Sequence, residues 1–211
     1  MQDLSRLHVG TQMNQTTRYT KVAILLHWLV ALGIIALLGL GWYMNELPKG
    51  GPKVSSFDLF DLGLYTVQLS EAASPRTFYF NLHKSIGLTV FFIIGLRVYW
   101  RLMHQPPALA ASLKRWEQIV AHGTHHLLYV LMVLMPVTGM LTTLYSKYGL
   151  NWFSIPVLPG LDDPALRDFF VAAHELTATL LVILIGLHIA AALKHSLIDR
   201  DDTMKRMSIF R

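Results

Sequence analysis

The chain has 211 residues and no cysteine; 53% of it is hydrophobic and only 15% is charged, against about 25% in a typical soluble domain. Without cysteine, disulfides, thiolate zinc sites, cysteine-ligated iron–sulfur clusters and covalent CxxCH haem attachment are all excluded. The net charge of +5 flanks apolar runs rather than forming one patch, which argues for orientation in a membrane and against a nucleic-acid partner.

Four runs have the length and apolarity of membrane spans, at about 20 residues per crossing: residues 22–44, 80–103, 126–145 and 171–193. The expected fold is an all-α membrane protein, a four-transmembrane-helix bundle forming a single membrane domain over residues 1–211 with no soluble domain. The first run is longer than a signal-peptide core, and Gly41-Trp42-Tyr43-Met44 offers no small-residue cleavage site, so it is expected to stay as a span. The long connection over residues 45–79 carries Phe57-Asp58-Leu59-Phe60-Asp61-Leu62-Gly63-Leu64-Tyr65. That stretch reads either as a short amphipathic helix on the membrane surface or as an ordinary loop. Pro136 and Gly139 interrupt the third run and are expected to kink it, which membrane helices tolerate. Trp28, Trp42, Tyr43, Tyr79, Tyr99, Trp100, Tyr145 and Trp152 mark span ends, where Trp and Tyr favour the headgroup level.

Lys and Arg set the orientation. Arg6, Arg18 and Lys21 precede the first span, Arg97, Arg101, Lys114 and Arg115 surround the second connection, and Lys194, Arg200, Lys205, Arg206 and Arg211 follow the fourth. The other two connections carry more acid than base, so both termini are expected to be cytoplasmic and the 45–79 connection periplasmic.

Histidines inside the spans carry the chemistry. His174 and His188 are 14 residues apart in the fourth span; at about 100° per residue they share one helix face, about 21 Å apart along it. That is too far for one metal ion and suits two cofactors stacked through the membrane. Given the orientation, His27 and His188 lie at one level near the cytoplasmic side, and His83 and His174 at another near the outer side. Two imidazoles from two helices suit a porphyrin iron with two axial ligands, whereas zinc would want four ligands around one point. Two haem b groups match the count. His195 and the group His122, His125 and His126 are rival ligands or interfacial polar residues, and His8 and His104 belong to tail and loop.

Arg18-Tyr19-Thr20 with His27-Trp28-Leu29, His83-Lys84-Ser85-Ile86-Gly87, Arg97-Val98-Tyr99-Trp100-Arg101, Ala121-His122-Gly123-Thr124-His125-His126, Pro136-Val137-Thr138-Gly139, His174-Glu175-Leu176 and Gly186-Leu187-His188 follow one another in an order that resembles the bacterial cytochrome b561 family. The wider superfamily includes the membrane cytochrome subunits of nickel-iron hydrogenases and formate dehydrogenases. The resemblance implies a four-helix di-haem protein of the bacterial inner membrane that exchanges electrons with quinone; some members are similar to superoxide oxidases, which pass an electron from superoxide to ubiquinone. It also implies that helices one, two and four supply the ligands, which falls on His27, His83, His174 and His188. The chain departs from the shortest members in its long outer connection and in Lys84 directly after His83.

Two axial histidines on each iron leave no open position, so outer-sphere electron transfer is expected rather than oxygen chemistry. Lys84 and Arg76 fall near the outer pair, where a cation would hold a propionate or attract an anionic donor. Arg97 and Arg101 fall near the inner pair, where they would hold propionates or a quinone carbonyl; snorkelling to the interface is the alternative for all four. Two other functions compete: a haem-bearing anchor relaying electrons for a docked periplasmic redox protein, and a transporter with a histidine relay.

Overall fold

A computed structural model describes residues 18–108, 113–153 and 155–209; Arg6, His8 and Arg211 of the sequence argument lie outside them. Four long helices dominate: α1 (Lys21–Glu46), α2 (Pro75–Met103), α3 (Arg115–Leu144) and α4 (Pro164–Leu193). All are long and apolar enough to cross a membrane. Each starts on a residue that satisfies a backbone donor left open by the first turn. Thr20 Oγ1 accepts from Ala23 N at 3.2 Å, Ser74 Oγ accepts from Thr77 N, and Asp163 Oδ1 accepts from Ala165 N and Leu166 N. At α3 the Glu117 carboxylate reaches back to Lys114 N at 2.9 Å.

These caps explain why the helices outrun their apolar stretches. α2 begins at Pro75 rather than near residue 80, α3 at Arg115 rather than 126, and α4 at Pro164 rather than 171. Hydropathy marks only the lipid-facing part of a helix; Pro at the first helical position extends α2 and α4 outward. His122, His125 and His126 therefore stand on α3 itself.

The 45–79 connection is neither a surface helix nor a plain loop. It forms an antiparallel hairpin of β1 (Val54–Asp58) and β2 (Thr66–Ala73), with Phe57 opposite Val67. Alternation of Val67 and Leu69 with polar neighbours suits a strand, but it lies outside the stretch that suggested a helix. The turn holds Phe60 and Asp61 at positive φ, an uncommon conformation for such residues. Three contacts fix it: Gly63 N donates to Asp58 Oδ2 at 2.5 Å, Phe60 N to Tyr79 OH at 2.7 Å, and Tyr43 OH to Asp61 Oδ2 at 3.2 Å. Arg76 donates to the carbonyls of Met44, Asn45 and Leu47. It thus closes the C-terminus of α1 and lies over the Phe80 ring. A second hairpin, β3 (Leu150–Trp152) with β4 (Ile155–Leu158), joins α3 to α4.

Both hairpins lie at one end of the bundle. At the other, the two terminal segments meet the α2–α3 connection. Trp28 Nε1 donates to Met207 O at 3.0 Å, Arg18 to Ser208 O, Tyr19 N to Arg206 O, and Arg206 to Ala108 O. The bundle thus has a hairpin face and a terminal face.

The packed interior is small. Val30, Val90, Ile94 and Met132 form one buried cluster, and Leu40, Met44 and Tyr79 another. Large apolar side chains such as Leu25, Leu32, Phe92 and Leu187 stay exposed on the helix sides, as lipid contact requires. Small residues let such helices approach: a Cβ on Gly33 would lie 2.8 Å from Val90 Cγ2. Gly33→Val is therefore expected to cost about 1–3 kcal/mol through overpacking, seen as a lower melting temperature in detergent. Gly39→Ala, with nothing within 4 Å of the new methyl, should leave it unchanged.

Candidate haem sites

His27 of α1 and His188 of α4 face each other with ring centres 6.3 Å apart. His83 of α2 and His174 of α4 do so at 6.4 Å. The four span histidines thus meet in the two level pairs expected from their depths. A metal ion between two opposed imidazoles sets ring centres about 6.3 Å apart, given metal–nitrogen bonds of about 2.0–2.1 Å. Both pairs fit that spacing.

The hairpin-side pair is held by α3. His174 Nδ1 lies 3.0 Å from Met135 O and 3.1 Å from Thr138 Oγ1. Thr138 itself donates to the Leu134 and Met135 carbonyls. A carbonyl only accepts, so the ring proton sits on Nδ1 and Nε2 is left free to bind a metal. The lack of a side chain at Gly139 makes room for this ring, since a Cβ there would be 3.0 Å from His174 Cε1. His83 Nδ1 is buried and has no hydrogen-bond partner among the described residues. Its ring passes Gly41, where a Cβ would make ordinary contact at 3.5 Å. Below the pair, Leu37, Val90, Met132, Pro136 and Leu181 line an apolar cavity with Gly87 at its wall, chemistry suited to a macrocycle.

The terminal-side pair has different company. Arg97 NH2 donates to His27 Nδ1 at 3.0 Å, and its guanidinium lies over the Tyr129 ring. The His125 ring centre is 5.5 Å from that of His188, so three histidines converge here. The sequence reads the α3 group as rival ligands or interfacial polar residues; the cross-helix contact that singles out His125 is invisible along the chain. Arg101 does not touch the pair. With Arg97 and Arg18 it lines a cleft that also holds Tyr19, Trp100 and Tyr129.

Other candidates are placed elsewhere. His195 bonds Asp199 at 2.9 Å and Asp201 at 3.0 Å, away from the pairs. Glu117, His195 and Asp199 converge closely enough to suggest a cation site, but the Lys194 ammonium already bonds Glu117 at 2.9 Å and Asp199 at 2.6 Å. His126 Nδ1 bonds the carbonyl of His122 at 2.7 Å, and His104 stacks on Trp100. Lys84 is half-buried beside His83, and Arg76 is committed to the end of α1.

Four spanning helices with paired histidines at two levels define a membrane cytochrome b. The prokaryotic cytochrome b561 family model matches residues 18–208, and the chain belongs to that family. It is 32% identical over 199 residues to cytochrome b561 homolog 2 of Escherichia coli (strain K12), covering 92% of this chain and 93% of that protein. It is 25% identical to a probable superoxide oxidase, CybB, of Yersinia pestis, covering 90% and 95%. It is 24% identical to cytochrome b561 homolog 1 of Escherichia coli (strain K12), covering 90% and 96%. The protein is a multi-pass bacterial membrane protein that binds haem b and takes part in electron transport.

Gly139→Val should push the His174 ring off the Met135 carbonyl. Haem b per chain, measured as the pyridine haemochrome, is expected to fall below wild type, whereas Gly41→Ala should hold it.

Proposed function

We propose that the chain binds two haem b groups, one between His27 and His188 and one between His83 and His174, and transfers electrons between a donor at the hairpin face and ubiquinone. The observation that carries this reading is the spacing of the two imidazole pairs at 6.3 and 6.4 Å, each suited to one iron. The 5.5 Å between His125 and His188 is short for a metal between opposed rings, which favours His27 as the partner of His188.

Bound haem supplies a reversible one-electron couple. The chain's own residues do the rest. Met135 O keeps the His174 proton on Nδ1 and so aims Nε2. His27 needs the same tautomer to ligate through Nε2, yet in the structure its Nδ1 accepts from Arg97, which leaves the proton of a neutral ring on Nε2. On this reading Arg97 gives up that contact when the site fills and, with Arg101, holds the propionates at the terminal face or a quinone carbonyl nearby. With two of these imidazoles on each iron no coordination position would be left open, so transfer would be outer-sphere.

Superoxide is the donor best matched to a small anion arriving beside His83, where Lys84 forms no hydrogen bond or ion pair among the described residues. The similarity to a probable superoxide oxidase supports it. A second reading, an anchor that relays electrons for a docked periplasmic protein, is favoured by the folded β1–β2 hairpin, which offers a surface at that face. Purified protein given superoxide and ubiquinone separates the two: turnover without a partner supports the enzyme, and haem reduction only with a partner supports the relay.

Haem content tests the ligand set. His27→Ala or His188→Ala should remove one haem and keep the other, and His83→Ala or His174→Ala should do the reverse. Loss of the same haem in His27→Ala and His83→Ala would break the pairing, and a wild-type spectrum in His27→Ala would hand the role to His125. For steering, Lys84→Glu should slow superoxide oxidation at low salt, with the difference from wild type narrowing as salt is added and haem content unchanged; an equal rate at low salt would remove Lys84 from the mechanism.

The distribution of Lys and Arg supports a cytoplasmic terminal face, and an inner-membrane location goes with that reading. Reporter fusions after residue 60 or 160 should report the periplasm; a cytoplasmic signal would invert the scheme.

A further inference from the structure

The α3–α4 connection does not project into water. Phe153 N donates to Ser85 Oγ at 2.7 Å, and Trp152 Nε1 donates to Thr89 Oγ1 at 3.0 Å. Ser85 and Thr89 lie inside α2, well past its start at Pro75. Arg76, which bonds the last carbonyls of α1, marks the helix ends on the hairpin face. Nine residues separate it from Ser85, or about 13 Å of helix. The backbone of Phe153 is therefore about 13 Å below those ends and about 8 Å below residue 80, where the apolar run of α2 begins, inside a hydrocarbon layer about 30 Å thick.

The end of α3 gives the drop of the hairpin itself. Gly139 of α3 adjoins His174, and α3 continues only to Leu144, so the base of the hairpin stands about 8 Å above the His83–His174 level. The tip bonds Ser85, which is two residues, or about 3 Å, deeper than His83. The hairpin thus descends about 11 Å from base to tip, the length of three to four extended residues at about 3.3 Å each.

Its surface matches that position. β4 reads Ile155-Pro156-Val157-Leu158, and every residue of it is exposed; Phe153 is exposed too. An apolar strand left open at this depth adjoins the lipid-facing flanks of the spans. Its backbone is suited to a dry setting, where each open polar group is costly. β3 and β4 pair with each other, and Ser85 Oγ takes the Phe153 N–H while donating to Asn81 O. Leu161 N and Asp163 N close on the carbonyls of Leu144 and Tyr145. Pro156 removes one donor from the outer strand, the place where a sheet tolerates Pro.

We propose that the β3–β4 hairpin is embedded in the hairpin-side leaflet as a re-entrant element, with β4 packed against lipid acyl chains. It is then part of the wall of the bundle beside α2, and neither a solvent loop nor the docking surface for a soluble partner; that role is left to β1–β2. The inference does not depend on haem number, donor or quinone.

The absence of native cysteine makes the test direct. Single variants Ile155→Cys and Val157→Cys are labelled with bimane in the full-length haem-loaded protein in phosphatidylcholine liposomes. Leu187→Cys, exposed on the flank of α4, is the lipid control, and Lys53→Cys, exposed on the β1–β2 hairpin, is the aqueous control. Spin-labelled acyl chains should quench positions 155 and 157 as strongly as 187. Iodide should quench them about fivefold less than 53, as for a group within the hydrocarbon layer. Iodide quenching equal to that at position 53 would overturn the proposal by placing the hairpin in water. Protection from both quenchers would overturn it as well, by placing another protein chain on β4.

Discussion

The arrangement turns on one helix facing two others at two depths. α4 carries His174 and His188 on one face, and each meets an imidazole from a different helix at about the same spacing. α1 must therefore lie opposite the terminal half of α4, and α2 opposite its hairpin half. α3 supplies no member of either facing pair, yet it presses along α4 and buttresses it. The Met135 carbonyl orients His174, and Gly139 is a glycine because the imidazole occupies the space a side chain would take. A ring held by a carbonyl from a neighbouring helix is a rigid ligand, since its tautomer and its angle are set together.

The two levels differ in electrostatic character. The hairpin-side pair sits above an apolar cavity, and its polar contacts are a carbonyl and a hydroxyl. The terminal-side pair has a guanidinium on His27, another ring on His188, and a cleft lined by three arginines. Positive charge near a site favours the form carrying one more electron, which is in keeping with the proposed transfer toward the terminal face. The same face is closed by the terminal segments, whose carbonyls accept from Trp28, Arg18 and Tyr19. That face is an ordered, basic surface.

The two hairpins show how short strands serve a helical membrane protein. β1–β2 stands on interfacial tyrosines: Tyr43 and Tyr79 hold its turn through hydroxyl contacts, while their rings pack against each other and against Phe60. β3–β4 turns back along α2. In each case a hydroxyl on a helix takes up or supplies the hydrogen bond that an irregular backbone would otherwise lack, the condition for leaving helical structure near lipid.

Local chemistry was enough to reveal the spans, the depths of their histidines and the family. An apolar run of span length has few alternatives in water or lipid, and helical periodicity converts the interval from His174 to His188 into a shared face. Helix starts were less legible, because Ser74, Glu117 and Asp163 cap through a few local contacts that leave hydropathy unchanged. Neither hairpin is legible in the sequence, because their strands are short and their stability comes from Tyr43, Tyr79, Ser85 and Thr89, which are distant in sequence. Only the folded chain decided that Met135 orients His174, that Arg97 rather than Arg101 reaches His27, that His125 joins the terminal-side pair, and that Arg76 closes α1. Each of these depends on the rotation of one helix against another, a quantity set by packing across the bundle and absent from the order of residues along it.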